Sequence, residues 1–217
     1  MEVQELAPGL WRWTAPHPDW TPEDGGPDGW ERDVGCLYYE APDGLVLIDP
    51  LAPPGDDGER FWRALDRDVE RLGAPRVLVT VFWHARSAQP VLDRYEGAEV
   101  WVHEAAVARL GDRVRATRPF RIGEGLPGDV VAIDALRADE VLYWLPAPRA
   151  LVAGDVLLSA DGGVRLCPDS WLPEGIDPRD FRASLQALLD LPVEMVLVSH
   201  GDPVLANGRE ALARALS

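Results

Sequence analysis

The chain contains no lysine. All 21 of its basic side chains are arginine, set against 37 aspartates and glutamates for a formal net charge of −16. Without a lysine amine, Schiff-base chemistry and the phosphate-cradling P-loop are excluded. The acidic excess repels phosphate backbones and anionic membrane surfaces, which argues against nucleic acid and membrane as partners. Cysteine is nearly as scarce: Cys36 and Cys167 form no CxxC pair and no disulfide framework, so they read as buried thiols of a protein kept in a reducing cytoplasm. No run approaches the roughly 20 apolar residues of a membrane span, because the stretches 44–48 and 193–198 are cut at once by Asp49 and by Ser199-His200. Met1-Glu2-Val3-Gln4-Glu5 carries acids where a secretory signal has positive charge, which again points to a cytoplasmic location.

What is present is ordinary globular material: 217 residues, 47% apolar, read as one domain over 1–217. Residues 10–13 alternate as a strand, and 14–30 is dense in Pro, Gly and Asp and reads as a long loop. Residues 37–40 and 45–49 make a hairpin around Pro42-Asp43-Gly44. In 59–73, Phe61, Leu65, Val69 and Leu72 share a helical face that Gly73 ends. Strands follow at 76–81, 99–102, 129–133, 141–145, 151–153 and 195–199, with helices at 87–95 and from 104 to 110. A further helix is opened by Asp177-Pro178, with Phe181, Leu185, Leu188 and Leu189 on its core face, and a terminal one is capped by Asn207. The pattern is an α/β (α+β) fold of two sheets face to face with helices outside; the order alone also suits a three-layer α/β arrangement.

Four histidines carry most of the chemical interest. His84 and His200 lie just past the C-terminal ends of two strongly apolar strands, 76–83 and 195–199, and a third strand, 151–153, runs into Gly154-Asp155. Rigid strands converge side chains at their ends, where loops open to solvent. Two imidazoles and a carboxylate have the composition of a site for one Zn, Fe or Mn ion.

At these residues the sequence resembles the metallo-β-lactamase fold superfamily of metal-dependent hydrolases. Leu45-Val-Leu-Ile-Asp49 looks like the family's early strand with its terminal Asp. Leu151-Val-Ala-Gly-Asp155 looks like its Gly-Asp strand, whose Asp bridges two metals, and Leu197-Val-Ser-His-Gly201 like its last ligand strand. The segment 101–106 resembles the one after the main motif, where a His such as His103 is not a metal ligand. The resemblance implies an αββα sandwich of two mixed β-sheets.

The family's HxHxDH motif is degenerate here. Laying 84–87 on its second half, after a one-residue shift past Thr80, keeps His84, puts Arg86 at the metal-binding Asp and Ser87 at the last His, and leaves Phe82 at the first His. The next ligand histidine falls due near 135–140, where the residues are Ala-Leu-Arg-Ala-Asp-Glu. A regular binuclear zinc site is therefore not expected. His84, Asp155 and His200 are the candidate metal ligands, for one divalent ion or for a metal-free remnant. In the family pattern the two histidines belong to different metals.

Asp155 and Arg86 are the candidate catalytic residues. Arg86 either holds an anionic substrate and the developing oxyanion or pairs with Asp155 in a dead site. His17, Trp20, Trp30 and Trp83 are candidates, with Arg86, for lining a substrate pocket. His103 reads as a helix-start or core-edge residue, and the adjacent Ser199 and His200 make no hydrolase dyad because strand neighbours face opposite ways. Ser87 reaches His84 only if the local turn brings them together. Three functions follow: a metal-dependent hydrolase of an ester, thioester, lactone or amide; a non-catalytic relative binding a small anionic or aromatic ligand; and a domain kept for association.

Overall fold

The computed structural model describes residues 2–26, 28–115, 117–137 and 139–217. Strand β1 (Val3–Ala7) pairs antiparallel with β2 (Leu10–Pro16), and β2 with β3 (Asp33–Ala41), which turns back into β4 (Gly44–Ile48). Helix α1 (Gly55–Leu72) then crosses to β5 (Arg76–Val79), α2 (Ala88–Arg94) to β6 (Glu99–His103), and the short α3 (Val107–Leu110) to β7 (Arg118–Phe120). The last three pairings are parallel, as helical crossovers require, and the seven strands lie in sequence order.

A second sheet begins with β8 (Val131–Asp134) and β9 (Val141–Leu145), joined through the turn at Pro146 to β10 (Ala150–Val152). After a separate hairpin of β11 (Leu157–Ala160) and β12 (Gly163–Leu166), helix α4 (Pro178–Ser184) leads to β13 (Met195–Leu197), and α5 (Gly208–Ala215) follows. The order is β13-β10-β9-β8, with β13 parallel to β10.

Side-chain alternation explains the four layers. In β4, Val46 and Ile48 enter the cluster between the sheets, where they meet Tyr143 and Leu145 of β9, while Leu45 and Leu47 pack with Phe61 and Leu65 of α1. In β9 the alternate residues Leu142 and Trp144 pack with Phe181, Leu185 and Leu212 under α4 and α5. β4 and β9 are apolar on both faces, so the sheets are covered on both sides there and the αββα arrangement follows.

A buried side-chain bond also joins the sheets: fully buried Tyr143 donates its hydroxyl to the Val79 carbonyl at 2.8 Å. Tyr143→Phe is expected to cost about 1 kcal/mol in chemical denaturation, since the carbonyl loses that donor in a dry interior; an unchanged midpoint would contradict this.

The structure corrects the sequence reading in several places. The loop expected from Thr14 begins only at His17, because β2 continues to Pro16. β1, β7 and the β11–β12 hairpin escape periodicity because they are short or half-exposed edge elements. Asn207 stands at the N-cap of α5, but in a left-handed conformation (φ 57°) with no side-chain capping bond; Asp177 does cap α4, accepting from the Arg179 amide at 2.8 Å. No helix of the described residues is long and apolar enough to cross a membrane.

Candidate metal centre

The candidate ligands and their supports come from strand ends on the two facing sheets. Asp49 follows β4 in a left-handed turn (φ 50°), and its carboxylate accepts from the Thr80 amide (2.9 Å) and hydroxyl (2.6 Å) just past β5. A single 3-10 turn, Phe82–Ala85, then lifts His84 so that its Nδ1 lies 3.0 Å from both Asp49 Oδ2 and Thr80 Oγ1. Asp155 leaves β10 through Gly154, whose φ of +52° and close approach to Thr80 and Glu140 suit only glycine. His200 is tied to β3 through the Gly35 amide, which donates to the Ser199 carbonyl at 2.7 Å, and to β11 through the Ser159 amide, which donates to the His200 carbonyl at 3.1 Å.

These supports bring three donor atoms to one point. His84 Nε2 is 3.2 Å and His200 Nε2 3.1 Å from the same oxygen, Asp155 Oδ1. All three ligand atoms lie within 4.8 Å of one another, and among the described residues they form the one group of three or more such donors. Oδ1 is buried and has no hydrogen-bond partner, while Oδ2 accepts from Trp83 Nε1 at 2.8 Å. Ligands about 2.1 Å from a tetrahedral ion stand roughly 3.4 Å apart, so the spacing and the unsatisfied oxygen fit one divalent ion. Asp49 on His84 Nδ1 is the carboxylate–histidine support such ligands use; the corresponding atom of His200, Nδ1, is buried and unpartnered.

Charge is concentrated here. Burial raises the Asp155 carboxyl, but His84 and His200 outweigh it and hold the group well below the usual carboxylate range. Burial and Arg86 push the His84 imidazolium down, and Asp155 and Asp49 more than offset them, leaving it at about 9. Glu140, fully buried, is pushed up by burial to about 7 against the pull of Arg137. It accepts from the Asp155 amide at 2.5 Å and pairs with the Arg137 guanidinium. This ion pair occupies the segment where a ligand histidine fell due.

Around the donors opens a cavity of about 1000 Å³, lined in part by His17, Trp30, Trp83, Arg86, Arg137 and Trp171. Trp30 packs on His200 and His17 on Trp30, each pair with ring centroids 5.1 Å apart. Trp20 is not on this cavity: its indole donates to the Trp30 carbonyl at 3.0 Å from a neighbouring depression, bracing Trp30 instead. Arg86 forms no ion pair with Asp155; its guanidinium donates to the Asp49 carbonyl at 3.3 Å and backs onto Cys36, held there by a left-handed backbone (φ 30°). Among the described residues, Ser87 makes no hydrogen bond to His84; its hydroxyl accepts from the Ala52 amide at 2.9 Å. His103 ends β6 with its ring against Phe120, away from the donors. Arg137, Glu140 and Thr80 were missed as site residues because a polar loop and a strand end carry no periodic signal; a buried opposite-charge pair three residues apart was the sole trace.

Solved structures resemble the chain over nearly its full length. A metallo-β-lactamase from Erythrobacter litoralis, with β-mercaptoethanol in its active site, is 18% identical, aligns with 99% of this chain and 93% of its own, and gives a TM-score of 0.71. A metallo-β-lactamase family protein from Thermus thermophilus is 21% identical over 97% of this chain and 79% of its own, at 0.62. A metallo-β-lactamase of Pseudomonas aeruginosa in its mono-zinc form is 12% identical over 99% and 94%, at 0.68. No family model and no curated protein matches the sequence. At such identities the likeness is one of architecture, and the sandwich described above is the metallo-β-lactamase fold.

Proposed function

We propose that the chain is a hydrolase using a single divalent ion (Zn, Fe or Mn) held by His84, Asp155 and His200, and acting on a small ester, thioester, lactone or amide. The observation carrying this reading is the buried Asp155 oxygen that faces two imidazole nitrogens and accepts no hydrogen bond from either. Such an ion supplies Lewis acidity, making a water acidic enough to attack near neutral pH. The chain's own residues do the rest. Asp49 fixes the ring orientation of His84, and Trp83 holds the second Asp155 oxygen so that the first stays aimed at the imidazoles. Trp30 and His17 wall the cavity beside His200 and exclude bulk water from that side. Arg86 adds a fixed positive charge along the wall, favourable to a developing oxyanion.

A second reading, a metal-free relative that binds a small anionic or aromatic ligand, is favoured by one observation: His84, held charged by Asp49 and Asp155, supplies a positive charge between those two carboxylates without an ion. Elemental mass spectrometry separates the two. Protein purified without added metal, and again after Zn, Mn or Fe addition, is expected to hold about one ion per chain and to lose ester or lactone hydrolysis on chelation. No ion above background in any condition would sink the hydrolase and leave the binder.

A further inference from the structure

The cavity holds a buried cation outside the three-donor set. Arg137 lies in the loop between β8 and β9, flanked by left-handed backbone at Leu136 (φ 49°) and Asp139 (φ 62°), and yet is only 4% exposed. Its guanidinium carbon stands 5.4 Å from the Trp83 ring centroid and 5.6 Å from that of Trp171, so two indoles flank it. Both rings are themselves fixed, Trp83 by Asp155 and Trp171 by the Asp28 carbonyl. Nη1 donates to Glu140, while Nε is buried and makes no hydrogen bond. Glu140 is meanwhile committed through its other oxygen to the Asp155 amide, so it neutralises the guanidinium without satisfying all its donors. An arginine buried with a donor unpaired carries a penalty that a bound acceptor would remove.

The other guanidiniums on this cavity share only part of this setting. Arg86 also buries an unpaired Nε, but its Nη1 is turned to the Asp49 carbonyl and, among the described residues, no aromatic ring lies over it; Arg113 is exposed, over the Phe82 ring with its Nη1 on the Arg109 carbonyl. Arg137 alone combines permanent charge, aromatic walls and a buried free donor, the combination with which arginine recognises planar anions.

The geometry points to Arg137 as the anchor for a carboxylate on the ligand. Resting on the hydrolase reading, the substrate class is a carboxylate-bearing ester, thioester, lactone or amide. A carboxylate is favoured over a dianionic phosphate by charge: the cavity lining has five carboxylates against three guanidiniums, so a second negative charge on the ligand adds repulsion.

The test uses metal-free protein in excess chelator, which separates it from the hydrolase reading. Tryptophan fluorescence, reporting from the indoles beside Arg137, is titrated with monomethyl succinate, dimethyl succinate and inorganic phosphate. The monoanion is expected to bind saturably and at least tenfold more tightly than either of the others. Arg137→Gln, and Arg137→Gln with Glu140→Gln to avoid stranding a buried carboxylate, weaken it at least tenfold, while Arg113→Gln stays within twofold. Equal binding of the neutral diester, tighter binding of phosphate, or unchanged affinity in a folded Arg137 variant overturns the proposal. Because ligand selectivity is read on the wild-type chain, the test does not depend on any variant folding. Carboxylate binding in a protein that takes up no metal would support this site and overturn only the hydrolase.

Discussion

Replacing either His84 or His200 by alanine lowers zinc affinity by more than about 100-fold, because losing a ligand exceeds the 10- to 100-fold typical of losing a ligand's support. The structure makes this strict, since among the described residues no other group of three donors exists to take over. Thermal unfolding gives a second readout. Zinc at about 1,000 times its dissociation constant adds roughly 4 kcal/mol, which for a chain of this size is about 8 to 16 °C in Tm. At that zinc concentration a variant that binds about 100-fold more weakly keeps at most about 1.4 kcal/mol, so both variants should shift by no more than about 3 to 6 °C. If either alanine variant retained zinc at wild-type affinity, the three residues would not be the site.

The pH dependence has opposite signs in the two states. In the metal-free protein His84 is raised from its ordinary 6.5 to about 9 by Asp155 and Asp49, against burial and Arg86. A raised histidine contributes stability that is complete below its unfolded value and lost as pH climbs through the folded one, so the apo protein weakens from about pH 6.5 to 9. Zinc must displace that proton, so its apparent affinity rises about tenfold per pH unit across the same interval and then levels. A zinc affinity flat from pH 7 to 9 would show that His84 carries no proton to lose.

Gly154→Ala is expected to be strongly destabilising. An added Cβ would fall on Glu140 Oε1 and 3.1 Å from Thr80 Oγ1, with the backbone at φ +52°. Left-handed backbone costs alanine about 1 kcal/mol. The larger cost is forced on Glu140, whose one oxygen holds the Asp155 amide and whose other pairs with buried Arg137. Disrupting a buried pair costs roughly 3 to 5 kcal/mol, a large part of the 5 to 15 kcal/mol that holds a typical domain. Gly123→Ala is the internal control, since Gly123 has φ +90° but nothing within 4 Å, and should show the backbone cost alone. Urea denaturation in which the two variants fell equally would remove Glu140 from the account.

The β4 hairpin, the apolar strands β5, β9, β10 and β13, and the capped helix α4 were legible from the chain because each is a local pattern: a turn pair, an apolar run, an Asp-Pro start. The short edge strands were not, since pairing with a neighbour rather than any period of their own makes them strands. His84, Asp155 and His200 were legible as candidates by the same logic, standing where rigid strands end.

Sequence alone thus determined the residue types at the strand ends, the absence of lysine, and the apolar double-faced strands that demand two covered sheets. Only the tertiary structure decided that the two imidazoles share one carboxylate oxygen, that Arg86 turns to Asp49 while Arg137 enters the cavity, and that Trp20 braces rather than lines it. Those are questions of side-chain direction between segments that meet only in the folded chain, settled by sheet stacking and backbone turns that no local pattern encodes.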